Sequence, residues 1–200
     1  MTACTAAPLL TPAAQLAALA RAMGQCRRCA ALARGRTQVV AGAGDLPARV
    51  AFVGIAPGRL GGDRTGVPFL GDRSGDLLRE MIEQAGLSEV FITNLVRCSP
   101  RDRKGRNRDP RPREIAQCRR FLHAELVLAS PPIIACLGRL AWYHVAGARV
   151  PFDPACPAPH AHQGWRCYPM YHPGYVIRGA YSRARYREDF LRLRRVLEQL

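Results

Sequence analysis

The sequence predicts an α/β protein in which helices cover both faces of a short parallel sheet. Four short apolar runs have the length of buried strands, and stretches with apolar residues at helical spacing lie between them. Strands that alternate with helices are typical of parallel sheets. The 200 residues suit a single hydrophobic core, so we expect residues 1–200 to form one domain.

The order of the elements follows from these runs and from the residues that begin and end helices. Ser74 and Asp76 are good residues for the start of a helix, and Gly86 is a good residue for its end. An N-terminal tail and helix occupy residues 1–24. The other predicted elements are strands at Val50–Ile55, Val90–Asn94, Ile133–Leu137 and Arg166–Tyr171, and helices at Ser74–Ala85, Pro112–Ala129, a short segment ending at Ala146, and Ser182–Gln199.

The charge of the chain points to nucleic acid. The formal net charge is +15, with 30 basic residues against 15 acidic ones. Codon bias explains arginine in place of lysine, but it does not explain a two-to-one excess of bases over acids, which indicates a polyanionic partner. No apolar run approaches the roughly 18 residues of a membrane span. The N-terminus lacks a basic segment before its apolar part, so we do not expect it to be a secretory signal. We expect a cytoplasmic protein without membrane contact, and we also expect a monomer.

A glycine-rich loop follows the first predicted strand and holds six glycines between Gly54 and Gly71. In an α/β protein such a loop lies at the carboxyl end of the sheet, where ligands bind. Glycines let the backbone approach a ligand closely and present N–H groups to anions. The loop lacks the dinucleotide-binding and P-loop patterns, and a long surface loop is the alternative.

The eight cysteines are the second signal, because a cytosolic chain does not pair them as structural disulfides. Cys26 and Cys29 have the spacing of metal ligands. Cys98 follows the second predicted strand, and Cys118 lies on the next helix. Four such thiolates bind zinc or an iron–sulfur cluster, and a reduced C-x-x-C with scattered core cysteines is the alternative. Cys136 is expected in the core, and no partner at ligand spacing exists for Cys4, Cys156 and Cys167.

Several motifs follow one another along the chain. They are C-x-x-C, G-x-A-P-G with TG-x-PF-x-G and SG, ITN-x-V-x-C-x-P with EI-x-x-C, and HPG. This order resembles the iron–sulfur uracil-DNA glycosylases over about Cys26 to Leu197. The resemblance implies a three-layer α/β/α sandwich with a short, mainly four-stranded parallel sheet. It also implies a DNA-repair hydrolase that flips uracil out of DNA and leaves an abasic site, with a [4Fe–4S] cluster held by Cys26, Cys29, Cys98 and Cys118.

Two branches of that family fit different parts of the chain. Family four has G-E-A-P-G, but Ile55 stands here at the position of the glutamate. Family five has an apolar residue there and a loop similar to GGDRTG. The last motif, HPGYVIRGAY, resembles family four. The chain therefore resembles a divergent or intermediate member.

The candidate site residues follow the predicted strands. A flipped base needs a stacking surface, an edge reader and stabilisation of negative charge. Phe69 is similar to the family's stacking residue, Asn94 offers both donor and acceptor, and His172 can donate to the base as charge develops. The alternatives are a core anchor for Phe69 and a cap for Asn94. The predicted base-binding residues are Gly54, Ile55, Phe69, Asn94 and His172.

Bond cleavage also favours a carboxylate near the sugar, to stabilise the oxocarbenium or to position water. Because Ile55 is not an acid, the candidates are Asp72 and Asp63. We favour Asp72, since family five places an aspartate at this GD-x-SG position. The alternative is that Asp72 only caps the helix. The predicted catalytic residues are therefore His172, Asn94 and Asp72.

Further residues are predicted to contact DNA. Val176 and Ile177 resemble an apolar wedge that fills the gap left by a flipped base, and Arg178 would contact phosphate. Ser74 and Gly75 would bind phosphate through backbone N–H groups. A basic insertion at residues 99–113 would follow the DNA backbone, with a solvated loop as the alternative. Its candidate contacts are Arg101, Arg103, Lys104 and Arg106.

Two other functions fit the same residues. One is a non-catalytic iron–sulfur or zinc protein that binds nucleic acid, with Ile55 marking lost catalysis. The other is a glycosylase that acts mainly on deaminated purines. Cleavage of oligonucleotides that carry uracil, hypoxanthine or xanthine distinguishes them.

Overall fold

In a computed structural model, which describes residues 10–200, helices flank one six-stranded sheet. The strands are β1 (Ala43–Gly44), β2 (Val50–Gly54), β3 (Val90–Asn94), β4 (Ile133–Leu137), β5 (His160–His162) and β6 (Trp165–Met170). The helices are α1 (Pro12–Gly24), α2 (Ala30–Gly35), α3 (Gly62–Thr65), α4 (Arg73–Gln84), α5 (Pro112–Ala129), α6 (Arg139–Val145), α7 (Pro173–Ile177) and α8 (Arg183–Glu198). Among these helices, none combines the length and apolar character needed to cross a bilayer.

The four predicted strands form the parallel centre of the sheet. The strand order is β1-β3-β2-β4-β6-β5, and only the two edge strands run antiparallel to their neighbours. In register, Phe52 of β2 faces Ile92 of β3 on one side and Ala135 of β4 on the other. The sequence did not predict β1 and β5, because two or three residues are too few to produce an alternating pattern.

Hydrophobic layers on both faces of the sheet confirm the three-layer α/β/α prediction. Along β2, Val50 and Phe52 pack with α4 and α8, whereas Ala51 and Val53 pack with α5 and α6. Every residue of β2 is buried, since each face is covered by helices. The alternation of side chains along a strand therefore divides one apolar run between two cores.

Most element boundaries are confirmed. The bounds of β3, α5 and β4 match the prediction residue for residue, and the other predicted ends differ by one or two residues. Helix α4 begins one residue earlier than predicted, because Asp72 rather than Ser74 is the N-cap. Three short helices, α2, α3 and α7, were not predicted. The predicted tail at residues 1–9 lies outside the described residues.

A buried ion pair joins α5 to the end of β3. The Glu125 carboxylate lies 2.8 Å from Arg97 Nη2, and both side chains are almost fully buried. Glu125 also accepts hydrogen bonds from Thr93 Oγ1 at 2.5 Å and from the Gly42 N–H at 2.7 Å. Arg97 Nη1 donates to the backbone carbonyl of Asn94. The network therefore fixes the end of β3, from which the candidate base reader projects.

We predict that Glu125→Gln lowers the free energy of unfolding by about 3–5 kcal/mol, because it leaves the Arg97 guanidinium buried without a counter-charge. Glu198→Gln is the matched control. It removes the exposed ion pair with Arg194, and its cost should stay below about 1 kcal/mol. Urea unfolding of both variants under the same conditions measures the difference. Equal, small losses in the two variants would show that the buried pair does not stabilise the fold.

Candidate active site and cysteine group

A cavity of about 990 Å³ opens at the carboxyl ends of the parallel strands. Its wall includes Ile55 after β2, Gly138 after β4 and His172 after β6. Ser74 and Arg178 also line it. The glycine-rich loop therefore borders a ligand-sized space at the edge of the sheet where α/β proteins bind ligands. We call this space the base pocket.

Asn94, Phe69 and Gly54 come together at the end of β2, where the chain continues into Ile55 of the base pocket. Asn94 is the register partner of Gly54. A Cβ atom at Gly54 would lie 2.5 Å from the Phe69 ring and 2.6 Å from Asn94 Oδ1, so only glycine permits this approach. Asn94 Oδ1 is buried and has no hydrogen-bond partner within residues 10–200. A buried, unpaired carbonyl oxygen beside an aromatic ring suits a ligand that supplies an N–H group.

The turn that presents Phe69 is held in an unusual conformation. Phe69 has φ of +52°, in the left-handed region that non-glycine residues rarely adopt. Arg79 stabilises the turn by donating to the carbonyls of Phe69 at 3.0 Å and Pro68 at 3.1 Å. Gly75 lets helix α4 approach, because a Cβ there would lie 2.3 Å from the Phe69 carbonyl oxygen. The sequence analysis missed Arg79, since nothing distinguishes it from the many solvated arginines.

His172 is held as a neutral hydrogen-bond donor. Its Nδ1 accepts from the Gly174 N–H at 3.0 Å, which leaves the proton of the neutral ring on Nε2. Burial and the nearby Arg178 guanidinium lower the pKa of His172 to about 4. The ring centroids of His172 and Phe69 are 5.9 Å apart. Phe69 is therefore a neighbour both of His172 and of the Gly54–Asn94 pair.

The two candidate carboxylates have structural contacts. Asp72 is the N-cap of α4, and its Oδ1 accepts from the Gly75 N–H at 2.9 Å. Asp63 is fully buried, accepts from the Thr37 N–H at 3.2 Å and forms an ion pair with Arg101 at 2.5 Å. Asp63 is therefore an anchor for the basic insertion. The capping role that the sequence left open for Asp72 is present.

Another carboxylate, which the sequence analysis missed, borders the base pocket. Among the described residues that line this cavity, Asp109 is the only acid. It lies in the basic insertion, and Asn107 ties that insertion to the glycine-rich loop by accepting from the Arg59 N–H at 3.0 Å. Asp109 sits within a run of arginines, so the sequence gave no reason to separate it from a solvated loop. Asp72 and Asp109 are the two acids to compare experimentally.

Three predicted DNA contacts have partners inside the protein. The Gly75 N–H donates to Asp72. Val176 and Ile177 are half-buried and pack against the core beneath α7. The exposed aromatic residue of α7 is Tyr175, with 39% of its surface accessible. Ser74 and Arg178 keep positions on the wall of the base pocket.

The basic insertion is partly used inside the protein. Arg101, one of the predicted DNA contacts, forms an ion pair with the buried Asp63. Arg106 forms an exposed ion pair with Asp102 at 2.9 Å, a contact that solvent weakens. Within residues 10–200, Arg103 and Lys104 are exposed and make no ion pair. Arg111 and Arg113 are likewise exposed without an ion pair, so the described part of the insertion carries four free cations.

The four predicted ligand cysteines line one small cavity beside α5, and we call them the cysteine group: Cys26, Cys29, Cys98 and Cys118. Each is half-buried. Arg36 Nη1 donates to Cys98 Sγ at 3.2 Å, and the Arg97 N–H donates to Cys118 Sγ at 3.3 Å. Burial raises the pKa of Cys118 to about 11. Both donors favour sulfur that carries negative charge.

Within residues 10–200, no group of three or more His, Cys, Asp and Glu side chains is arranged to hold one metal ion. The four sulfurs nevertheless face the same cavity. The remaining cysteines lie elsewhere: Cys136 and Cys167 are buried in the sheet, Cys156 is exposed, and Cys4 is outside the described residues.

Comparison with known proteins identifies the family. The model of the uracil DNA glycosylase superfamily matches residues 41–195. The chain belongs to this superfamily. It is 37% identical to a type-4 uracil-DNA glycosylase from Thermotoga maritima, over 77% of this chain and 79% of the relative. It is 41% identical to a type-4 uracil-DNA glycosylase from Archaeoglobus fulgidus, over 62% and 59%.

Type-5 relatives match as well. The chain is 33% identical to a type-5 uracil-DNA glycosylase from Thermus thermophilus, over 62% of this chain and 68% of the relative. Similarity to both types confirms the resemblance to families four and five.

We predict that His172 makes stability depend on pH. The unfolded protein binds a proton at this histidine near pH 6.5, whereas the folded protein resists protonation down to about pH 4. The free energy of unfolding should therefore fall on acidification from about pH 6.5 to 4, and His172→Gln should remove that part of the fall. Urea unfolding of both proteins at about pH 8 and pH 5 provides the test. Parallel losses in the two proteins would mean that the pKa of His172 is not lowered.

Proposed function

We propose that this protein hydrolyses the N-glycosidic bond between uracil and deoxyribose in DNA and leaves an abasic site. The observation that carries the proposal is the buried, unpaired Oδ1 of Asn94 beside Phe69 and Gly54. Relatives named as type-4 and type-5 uracil-DNA glycosylases support the same substrate.

The pocket suits the edge of uracil. A base rotated out of the stack would lie against Phe69, and Asn94 would meet its polar edge. Asn94 Oδ1 accepts from the N–H at position 3 of uracil, while its amide nitrogen donates to the neighbouring carbonyl. Cytosine presents an acceptor and an amino donor at these places, so it would leave the buried amide mismatched.

His172 would act on the leaving base. Cleavage places negative charge on the base and positive character on the sugar, and water then supplies the oxygen that bonds to C1′. A neutral imidazole with its proton on Nε2 donates to the base carbonyl oxygen as that charge develops. The base leaves as its anion and takes a proton from solvent. The low pKa of His172 keeps its imidazole neutral, so Nε2 donates a hydrogen bond without the ring first binding a second proton.

A carboxylate near the sugar would position the attacking water. Ile55 cannot do this, so the function falls to Asp72 or Asp109. Asp72 Oδ1 is engaged as a helix cap, and a Cβ placed at Gly58 would lie 2.7 Å from its Oδ2. Asp109 is exposed at the rim of the base pocket. We retain Asp72 as the proposed water-positioning carboxylate because it lies beside the glycine-rich loop.

The cysteine group fits an iron–sulfur cluster. Its four thiols face one cavity, and two nitrogen donors point at its sulfurs. Four thiolates are the ligand set of a [4Fe–4S] cluster, and the resemblance to the iron–sulfur uracil-DNA glycosylases favours that cluster over zinc. When bound, the cluster would supply a set of iron–thiolate bonds and no step of the hydrolysis. Its ligands would tie the segment around α2 to the loop after β3 and to α5.

The DNA itself would be held by charges around the pocket. Arg178 lines the pocket, Arg103 and Lys104 are exposed on the basic insertion, and Ser74 borders the pocket at the start of α4. Such contacts position the phosphates but do not read the bases. A monomeric state and a cytoplasmic location also stay predictions.

We predict that single-turnover excision of uracil falls about 10²- to 10³-fold in His172→Ala, the usual cost of removing one oxyanion donor. Asn94→Ala should lose comparably and also weaken the preference for uracil over cytosine. His123→Ala is the control, because His123 is exposed on α5 away from the pocket. Full activity in His172→Ala would overturn the mechanism.

Two further comparisons belong to the same assay. Asp72→Asn keeps the helix cap and removes the charge, so a loss of rate without loss of stability would support the proposed role. The same result in Asp109→Asn alone would transfer that role to Asp109. Absence of activity on uracil, hypoxanthine and xanthine would favour a non-catalytic nucleic-acid-binding protein. Activity on hypoxanthine and xanthine alone would favour a glycosylase for deaminated purines.

We predict that protein purified without oxygen is brown and contains about four iron atoms per chain. Cys118→Ser should lose the visible absorption, whereas Cys156→Ser should keep it, because Cys156 is exposed and outside the cysteine group. Metal analysis with visible spectroscopy provides the measurement. A colourless protein with one zinc ion would overturn the cluster and keep the four-cysteine site.

A further inference from the structure

A second cavity of about 670 Å³ lies next to the base pocket, along helix α8. The two cavities share Tyr171 and Tyr175 in their walls. Tyrosines and arginines dominate the lining of the second cavity: Tyr171, Tyr175, Tyr181, Arg185, Arg192 and Arg195. We call it the tyrosine–arginine groove.

The tyrosines form a connected aromatic surface. The rings of Tyr171 and Tyr175 are stacked, with centroids 5.4 Å apart and planes at 9°. The rings of Tyr171 and Tyr181 are 4.3 Å apart. Tyr175 is 39% exposed, so part of its ring is open to a ligand. Stacking on aromatic faces is how proteins bind unpaired bases of any sequence, because every base has such a face.

The arginines of the groove are not explained by folding. The buried residues of α8 that pack on the sheet are Tyr186, Asp189, Phe190, Leu193 and Leu197. Arg185 and Arg195 are exposed and make no ion pair within residues 10–200. Arg192 is paired with Asp189, and Glu188 is the one carboxylate that lines the groove. Two free guanidinium groups beside stacked rings suit phosphates between unpaired bases.

We propose that the tyrosine–arginine groove binds unpaired DNA that flanks the nucleotide in the base pocket. The location rests on the proposed function, because that function places the target nucleotide on the other side of the Tyr171–Tyr175 wall. A strand leaving the base pocket would pass over Tyr175 and enter the groove. A duplex cannot use it, since base pairing and stacking hide the faces of the bases. The groove therefore favours single-stranded or frayed substrates.

The test measures binding of a labelled single-stranded oligonucleotide without uracil, by fluorescence anisotropy over a range of salt. The groove variant is Arg185→Gln with Arg195→Gln. The matched control is Arg187→Gln with Arg194→Gln, which removes the same charge from the same helix outside the groove lining. The groove variant should bind the single strand more weakly and lower the salt slope by about 1.4 units, the value for two phosphates. The control should keep the slope, and binding to a blunt duplex should be similar in both.

A second pair of variants tests stacking. Tyr175→Leu should weaken single-strand binding by roughly 5- to 100-fold, and Tyr175→Phe should retain it, since the ring rather than the hydroxyl stacks. Equal affinities in Tyr175→Leu and the unchanged protein would overturn the proposal. Equal losses in the two arginine pairs would overturn it as well. The proposal would also be overturned if binding of a glutamate-rich peptide required Arg185 and Arg195 while binding of DNA did not.

The outcome is separate from that of the proposed function, because this binding assay requires no excision. If the groove and control variants bind DNA as expected but the protein releases no uracil, only the enzymatic proposal is overturned. Conversely, if the protein excises uracil but neither the arginine nor the tyrosine variant changes single-strand binding, only the groove proposal is overturned.

Discussion

The structure around the site depends on the placement of one buried arginine. The Arg97 guanidinium is neutralised by Glu125 and donates to the Asn94 carbonyl, while its backbone N–H donates to Cys118 Sγ. A buried guanidinium without a counter-charge is strongly destabilising, so α5 must carry Glu125 where β3 ends. The same residue therefore touches the cysteine group, the strand end that carries Asn94, and the longest helix of one layer.

The base pocket depends equally on close backbone approach. Gly54 leaves room for the Phe69 ring beside Asn94, and Gly75 leaves room for the turn that carries Phe69. Arg79 then holds that turn through two carbonyls, which offsets the cost of a left-handed phenylalanine, of order 1–3 kcal/mol. The aromatic surface is in this way preorganised before any base arrives. In the proposed mechanism, preorganisation of this kind would keep binding energy available for charge stabilisation at His172.

Sequence patterns predicted the elements that have a regular apolar pattern, and the loops and ligand groups that are marked by glycine, proline or cysteine. The four apolar runs gave the parallel strands, and the cysteine spacing gave four thiols that share a cavity. The patterns could not identify Arg97 or Arg79, because a buried arginine looks like any other among 30 basic residues. They also could not show that Val176 packs against the core while Tyr175 stays exposed, since only packing decides this. Edge strands of two or three residues carry no pattern at all.

The central claim is that Asn94 and a neutral His172 meet the same uracil. Protein labelled with ¹⁵N-histidine and titrated with free uracil tests this most directly, with the His172 resonances among the five histidines assigned through His172→Gln. The account predicts the tautomer with its proton on Nε2 at neutral pH, a shift of that nitrogen on binding, and loss of the shift in Asn94→Ala. An imidazolium, a proton on Nδ1, or no response to uracil would contradict it.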